Sequence, residues 1–125
     1  MAELNVQVRR VYDEPAAQDG ARVLVDRVWP RGLSRDKAAL EDWCREVAPS
    51  NELRRWYGHD PGRFTEFRRR YRSELEQPGP AAALERLREL ASSRPVTLLT
   101  ATRVPDLSQA AVLAELLRSR TPTDS

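Results

Sequence analysis

Asp26, Arg27 and Arg31 lie within one short run, Val23-Leu24-Val25-Asp26-Arg27-Val28-Trp29-Pro30-Arg31-Gly32. A carboxylate in such a place orients a hydroxyl or accepts a proton, and a guanidinium grips a phosphate or carboxylate through two parallel bonds. Trp29 adds a ring on which a base or sugar could stack. A second group, Thr100, Thr102 and Arg103, stands between an apolar run and a helix start, where amides and the helix dipole favour an anion. His59 is the only histidine and the only side chain whose ordinary titration falls near neutrality. Asp26 and His59 are therefore the candidates for acid–base chemistry. Arg27, Trp29, Arg31, Thr100, Thr102 and Arg103 are the candidates for ligand binding. Each has a structural counterpart: an Asp–Arg pair tying a loop to a sheet, a core tryptophan, threonines capping local backbone, a histidine bonded to a helix end.

The elements that must position these residues are a few strands and several helices. The run from Arg22 to Trp29 is apolar and largely β-branched, a buried strand that Pro30 and Gly32 stop. Asn5 to Tyr12 alternates partly and reads as a less buried first strand. The loop between them, Asp13 to Gly20, fits either a hairpin or a short crossover. Ser34 caps a helix whose apolar face is Leu40, Trp43, Cys44 and Val47. Ala48-Pro49-Ser50 breaks it, and a short helix from about Asn51 to Tyr57 ends at Gly58. Asp60 caps the next helix with Pro61 at its first position, burying Phe64, Phe67, Tyr71 and Leu75. Gln77-Pro78-Gly79-Pro80 separates it from a helix carrying Leu84, Leu87, Leu90 and Ala91. Val96 to Ala101 is a second buried strand. Asp106-Leu107-Ser108-Gln109 resembles a capping box opening the last helix, with Val112, Leu113, Leu116 and Leu117 inward. The order implies an α/β fold, a small layered domain with a short, mainly parallel sheet flanked by helices. Val23–Val28 and Val96–Ala101 are expected to be neighbours. One domain over residues 1–118 and a flexible tail over 119–125 are expected.

Composition narrows the function classes. At 125 residues, 40% hydrophobic and 32% charged, the chain suits one globular core without disulfide or metal. One cysteine and one histidine leave no intramolecular disulfide and no His/Cys metal cluster, so neither metal nor cofactor is expected. No apolar run has the length of a membrane span, and the N-terminus lacks the layout of a signal peptide, so a cytoplasmic protein is expected. All but one of the 21 basic residues are arginine, Lys37 being the exception. The net charge of +2 argues against a nucleic-acid partner. The arginine-rich run Arg68-Arg69-Arg70-Tyr71-Arg72, interspersed with Glu66, Glu74 and Glu76, reads as a solvated helix face. Cys44 reads as a small buried hydrophobe.

Four blocks in order carry a family resemblance: Val25 to Gly32; Ala48-Pro49-Ser50 with Leu53 to Pro61; Phe67 to Tyr71 with Glu74-Leu75; and Val96 to Leu99. The chain resembles the YeaO-like proteins of domain of unknown function 488 over about Val8 to Leu117. The resemblance implies a compact bacterial cytoplasmic α/β domain and no established activity. After the last strand the family usually carries a lysine–aspartate pair and then a segment with histidine and asparagine. Here Thr102-Arg103-Val104-Pro105-Asp106 is followed by Leu107, Ser108 and Gln109, so the imidazole is gone and Arg103 keeps a positive charge. The leading expectation is a binding crevice for an anionic or nucleotide-like small molecule, which an enzyme or a binding protein could use. A non-catalytic protein-interaction module is the rival, and a nucleic-acid binder through the arginine-rich helix the third reading.

Overall fold

The computed structural model describes residues 4–119. Its centre is a four-stranded, all-parallel sheet: β1 (Val6–Arg10), β2 (Ala21–Leu24), β3 (Asp42–Trp43) and β4 (Val96–Thr100), in the spatial order β1-β4-β2-β3. β4, the last strand made, sits in the middle with Val96 opposite both Val6 and Ala21. It is buried at every position, whereas β1 is buried only at Val6. The pairing of Val23 with Leu98 brings the two expected buried strands side by side. β1 and β2 both pair with β4 and run parallel, so the loop between them is a short crossover and no hairpin forms. β2 is shorter than the sequence suggests. It ends at Leu24, although Val25 still donates its N–H to Leu99 O, and Asp26 to Trp29 leave the sheet.

The helices are α1 (Arg35–Ala38), α2 (Asn51–Tyr57), α3 (Phe64–Glu74), α4 (Pro78–Ser93) and α5 (Gln109–Ser119). Alternation along the strands assigns side chains to two faces. Val23, Val25, Val96 and Leu98 join one large core with Phe67, Tyr71, Leu87 and Leu113, which the helices supply. Leu24 and Leu99 face the other way, into a smaller core with Val11, covered by Trp29, Leu33, Leu40 and Trp43. One face thus lies under helices, and the other under the segment that follows β2.

That segment corrects the expected helix through Leu40, Trp43, Cys44 and Val47. α1 lasts four residues and ends at Ala39 in the left-handed region, φ 49°. Asp42–Trp43 then forms an edge strand beside β2. Trp43 packs on the smaller core while Cys44 and Val47 enter the larger one, a strand-like alternation that mimics a helical stripe over so few residues. Cys44 is buried nonetheless. Two further boundaries move. Pro78-Gly79-Pro80 lies inside the first turn of α4, where proline loses no helical bond. Pro105–Leu107 makes a 3-10 turn, and Ser108, in place of Asp106, caps α5, its hydroxyl accepting the Ala110 N–H. Residues 120–125 of the expected tail lie outside the described residues, and Ser119 closes α5.

The amino end of β2 is fixed by a buried ion cluster. Asp19 accepts bonds from Arg22 Nη1 at 2.6 Å, Arg9 Nη1 at 2.8 Å and the Ala16 N–H at 3.0 Å. Gly20 follows at φ +63°, where a Cβ would lie 2.2 Å from Pro95 O, so only glycine lets β2 start this close to β4. Burial alone would raise the Asp19 pKa, but the Ala16 amide and the two guanidinium groups outweigh it and hold it below the usual carboxylate value. A depressed folded-state pKa stabilises above the unfolded value and is lost as pH falls through the folded one. Asp19→Asn leaves Arg22 buried without its counter-charge and should cost about 3–5 kcal/mol at neutral pH. In urea unfolding, the gap between wild type and variant should narrow below about pH 4, as the wild-type carboxylate itself protonates.

Candidate functional site

The chain leaves the carboxyl ends of neighbouring strands β2 and β4 in opposite directions. After β2 it covers the face bearing Leu24 and Leu99; after β4 it returns as α5 against the other face and β1. Such a divergence opens a crevice above the sheet. A cavity of about 490 Å³ lies there, bounded by residues that follow β2, by α2 and by the start of α5.

Asp26 forms its base. One carboxylate oxygen accepts the Ala101 N–H at 2.8 Å and the other accepts Gln109 Nε2 at 2.6 Å. The Asp26 carbonyl takes Trp43 Nε1 at 2.7 Å. Burial pushes the Asp26 pKa up, and the Ala101 amide, the Thr100 hydroxyl, the Arg54 charge and Gln109 offset this only in part. Arg27 turns to the backbone: it donates to Ala48 O at 3.1 Å and to Pro49 O at 3.2 Å. That clamps the loop whose next residue, Ser50, caps α2 by accepting the Leu53 N–H and donates its hydroxyl to Glu74 at 2.6 Å. The clamp sets α2 across the cavity mouth and delivers Arg54 and Arg55 to its wall.

The other expected residues divide. Arg31 is exposed on the cavity wall, held in place by Tyr12, whose hydroxyl donates to Arg31 O at 3.0 Å. Trp29 also lines the cavity, but its Nε1 donates to Leu33 O, Arg35 lies 5.0 Å over its ring, and Trp43 meets it edge-on at 5.3 Å. It is a wall anchored in the smaller core rather than a loose stacking plate. Thr102 lines this cavity and a second one of about 450 Å³ beside it, and Arg103 lines the second alone. His59 stands at the junction of both, exposed, at φ +59°. Thr100 corrects the expectation: it is fully buried in β4 and lines neither cavity, because its hydroxyl bonds Thr102 Oγ1 and faces Asp26.

Three wall residues, Arg54, Arg55 and Tyr57, were not among the sequence candidates. Their signal is the capped helix between Ser50 and Gly58, in which Leu53 and Tyr57 are buried and Arg54 and Arg55 are left exposed. A guanidinium is a planar donor whose fork matches a carboxylate or phosphate. The arginines of α3 do different work. Glu66 pairs with Arg69 and Arg70, which hold its pKa down to about 2, and Arg68 meets Glu115 at 3.4 Å. Among the described residues, no group of three or more His, Cys, Asp or Glu could hold a metal ion, and no helix is long and apolar enough to cross a membrane.

A family model described as the inactive DUF488-N3 subclade matches residues 5–125. The chain belongs to the DUF488 family. It is 51% identical over 118 residues to an uncharacterised protein of Mycobacterium tuberculosis, covering 94% of this chain and 98% of that one. It is 40% identical over 116 residues to the uncharacterised protein YeaO of Escherichia coli, covering 93% and 99%. No solved structure matches it. Ser108 and Gln109 line the first cavity and Leu107 the second.

Gln109 is the donor that α5 contributes to Asp26. Gln109→Ala should raise the Asp26 pKa further, since the charged form loses a hydrogen bond while its burial stays. Carboxyl-carbon NMR titration of Asp26 in the two proteins reads that shift.

Proposed function

We propose that this DUF488 protein is a non-catalytic binding domain that takes a small anionic or nucleotide-like molecule in the crevice above β2 and β4. The observation that carries the reading is the convergence of Arg31, Arg54 and Arg55 on one cavity at the carboxyl ends of parallel strands. Arg31 and Arg55 are exposed, and their guanidinium groups have no protein acceptor among the described residues, so both can turn to a ligand. Paired guanidinium groups suit phosphate and carboxylate oxygens.

The same wall gives a poor catalyst. Asp26 has the Ala101 N–H and the Gln109 amide as donors to its two oxygens, and neither takes or relays a proton near neutrality. The description of the matching subclade as inactive supports the same side of the choice. The cavity is within the size range of small-molecule sites. A cytoplasmic setting belongs to the reading; the buried free thiol of Cys44 fits a compartment that keeps cysteines reduced.

A ligand that binds only the folded protein raises its melting temperature, by about 2.7 kcal/mol of stabilisation at a hundredfold its Kd. Screening nucleoside phosphates and small carboxylates by thermal shift should return hits on the order of 5–10 °C. Arg31→Ala and Arg55→Ala should each remove most of the shift and leave the ligand-free melting temperature within about 1 °C, as surface changes do. Shifts that survive both substitutions, or a screen with no anionic hit, would count against the crevice.

A further inference from the structure

The crevice has two chemically unlike halves, and their contrast specifies more than an anion. The first half holds the arginines. The second shares Tyr57, His59, Ala101 and Thr102 with it and adds Pro61, Val104 and Leu107, with Arg103 at its edge. Of the polar groups of the second half, those of Tyr57 and Thr102 are engaged, while His59 and Arg103 stand exposed at its rim. The Tyr57 hydroxyl already donates to Leu107 O at 2.6 Å, and the Thr102 N–H and hydroxyl already meet Thr100 Oγ1. What faces the space is the buried Tyr57 ring and aliphatic carbon. Tyr12, Val28 and Val104 are the large hydrophobics left exposed among the described residues; Val28 lines the first half and Val104, 50% exposed, the second. Large exposed apolar side chains that rim a cavity mark contact with an apolar ligand surface.

We infer that the ligand is an organic anion with a flat apolar body, whose charged group meets Arg31, Arg54 and Arg55 while its body lies over Tyr57, Val104 and Leu107. The inference rests on the anion-binding reading above and narrows it: a nucleobase presents donors and acceptors along its edge, and this half of the crevice leaves few partners to receive them. His59 stands where the two halves join and is placed to cover the link between charged group and body.

Calorimetric titration of the full chain with inorganic phosphate, 1-naphthyl phosphate and 1-naphthol tests it. Naphthyl phosphate should bind at least tenfold more tightly than phosphate. Val104→Asn, a change at a half-exposed position, should abolish that advantage and leave phosphate binding unchanged, whereas Arg55→Ala should weaken both phosphates and spare naphthol. Equal affinity for the two phosphates, or an advantage that survives Val104→Asn, would overturn the inference and leave the anion reading standing. Binding of naphthol without either phosphate, or of none of the three, would overturn both.

Discussion

The Asp26 carboxylate is the joint on which the crevice depends. It ties the end of β2 to Ala101 just beyond β4 and to Gln109 at the first turn of α5, while its carbonyl holds the Trp43 indole of the edge strand. A carboxylate suits the task because two oxygens accept from two directions and a neutral side chain of that size cannot. Asp19 does the same at the other end of β2, and the two sites differ in their partners. Asp19 is met by two guanidinium groups and stays ionised easily; Asp26 is met by neutral donors, so burial dominates and its pKa rises. The strand is thus anchored at one end by charge pairing and at the other by directed hydrogen bonds.

The order in which the chain visits the sheet explains why the site lies where it does. β4 enters last, between β1 and β2, and the two connections that leave β2 and β4 must go to different faces. Among the described residues, the gap is bordered by side chains of the two departing segments and of α2, together with His59 and with Phe67 of α3. The helix is held there by a carbonyl clamp from Arg27 and by the Ser50–Glu74 pair, not by apolar contact with the sheet alone. Arg27, itself part of the cavity lining, therefore also shapes the cavity through the placement of Arg54 and Arg55.

Local signals were legible in the sequence and non-local ones were not. Ser50 and Gly58 bound α2, and Asp60 with Pro61 opens the turn before α3, because capping is decided by a few adjacent residues. The apolar run at Val96 was legible as the buried strand, since a central parallel strand is apolar on both faces. The stretch from Leu40 to Val47 was not, because four apolar residues fit two periodicities and only pairing with β2 decides between them. The crevice was legible on the β2 side, where Asp26 and Arg31 sit together. Arg54 and Arg55 escaped notice because their place at the wall follows from the Arg27 clamp, a contact across 21 and 22 residues. Thr100 misled because alternation turns it into the sheet rather than out of its end.

Leu107, Ser108 and Gln109 spend their polar groups on the structure around the crevice. Ser108 caps α5 and Leu107 offers a carbonyl to Tyr57, both structural roles that hold the floor of the crevice in shape. Gln109 gives Asp26 a neutral donor. An amide neither takes nor releases a proton near neutrality, so an aspartate bonded to it has no partner for relaying one. The arginines on the opposite wall belong to α2, which the Arg27 clamp and Ser50 hold and which meets the segment before α5 through Tyr57 and the Leu107 carbonyl. Anion binding, as proposed, would fall to α2 and the segment after β2, while the hydrogen bonding of Asp26 is set by the segment after β4 and by α5.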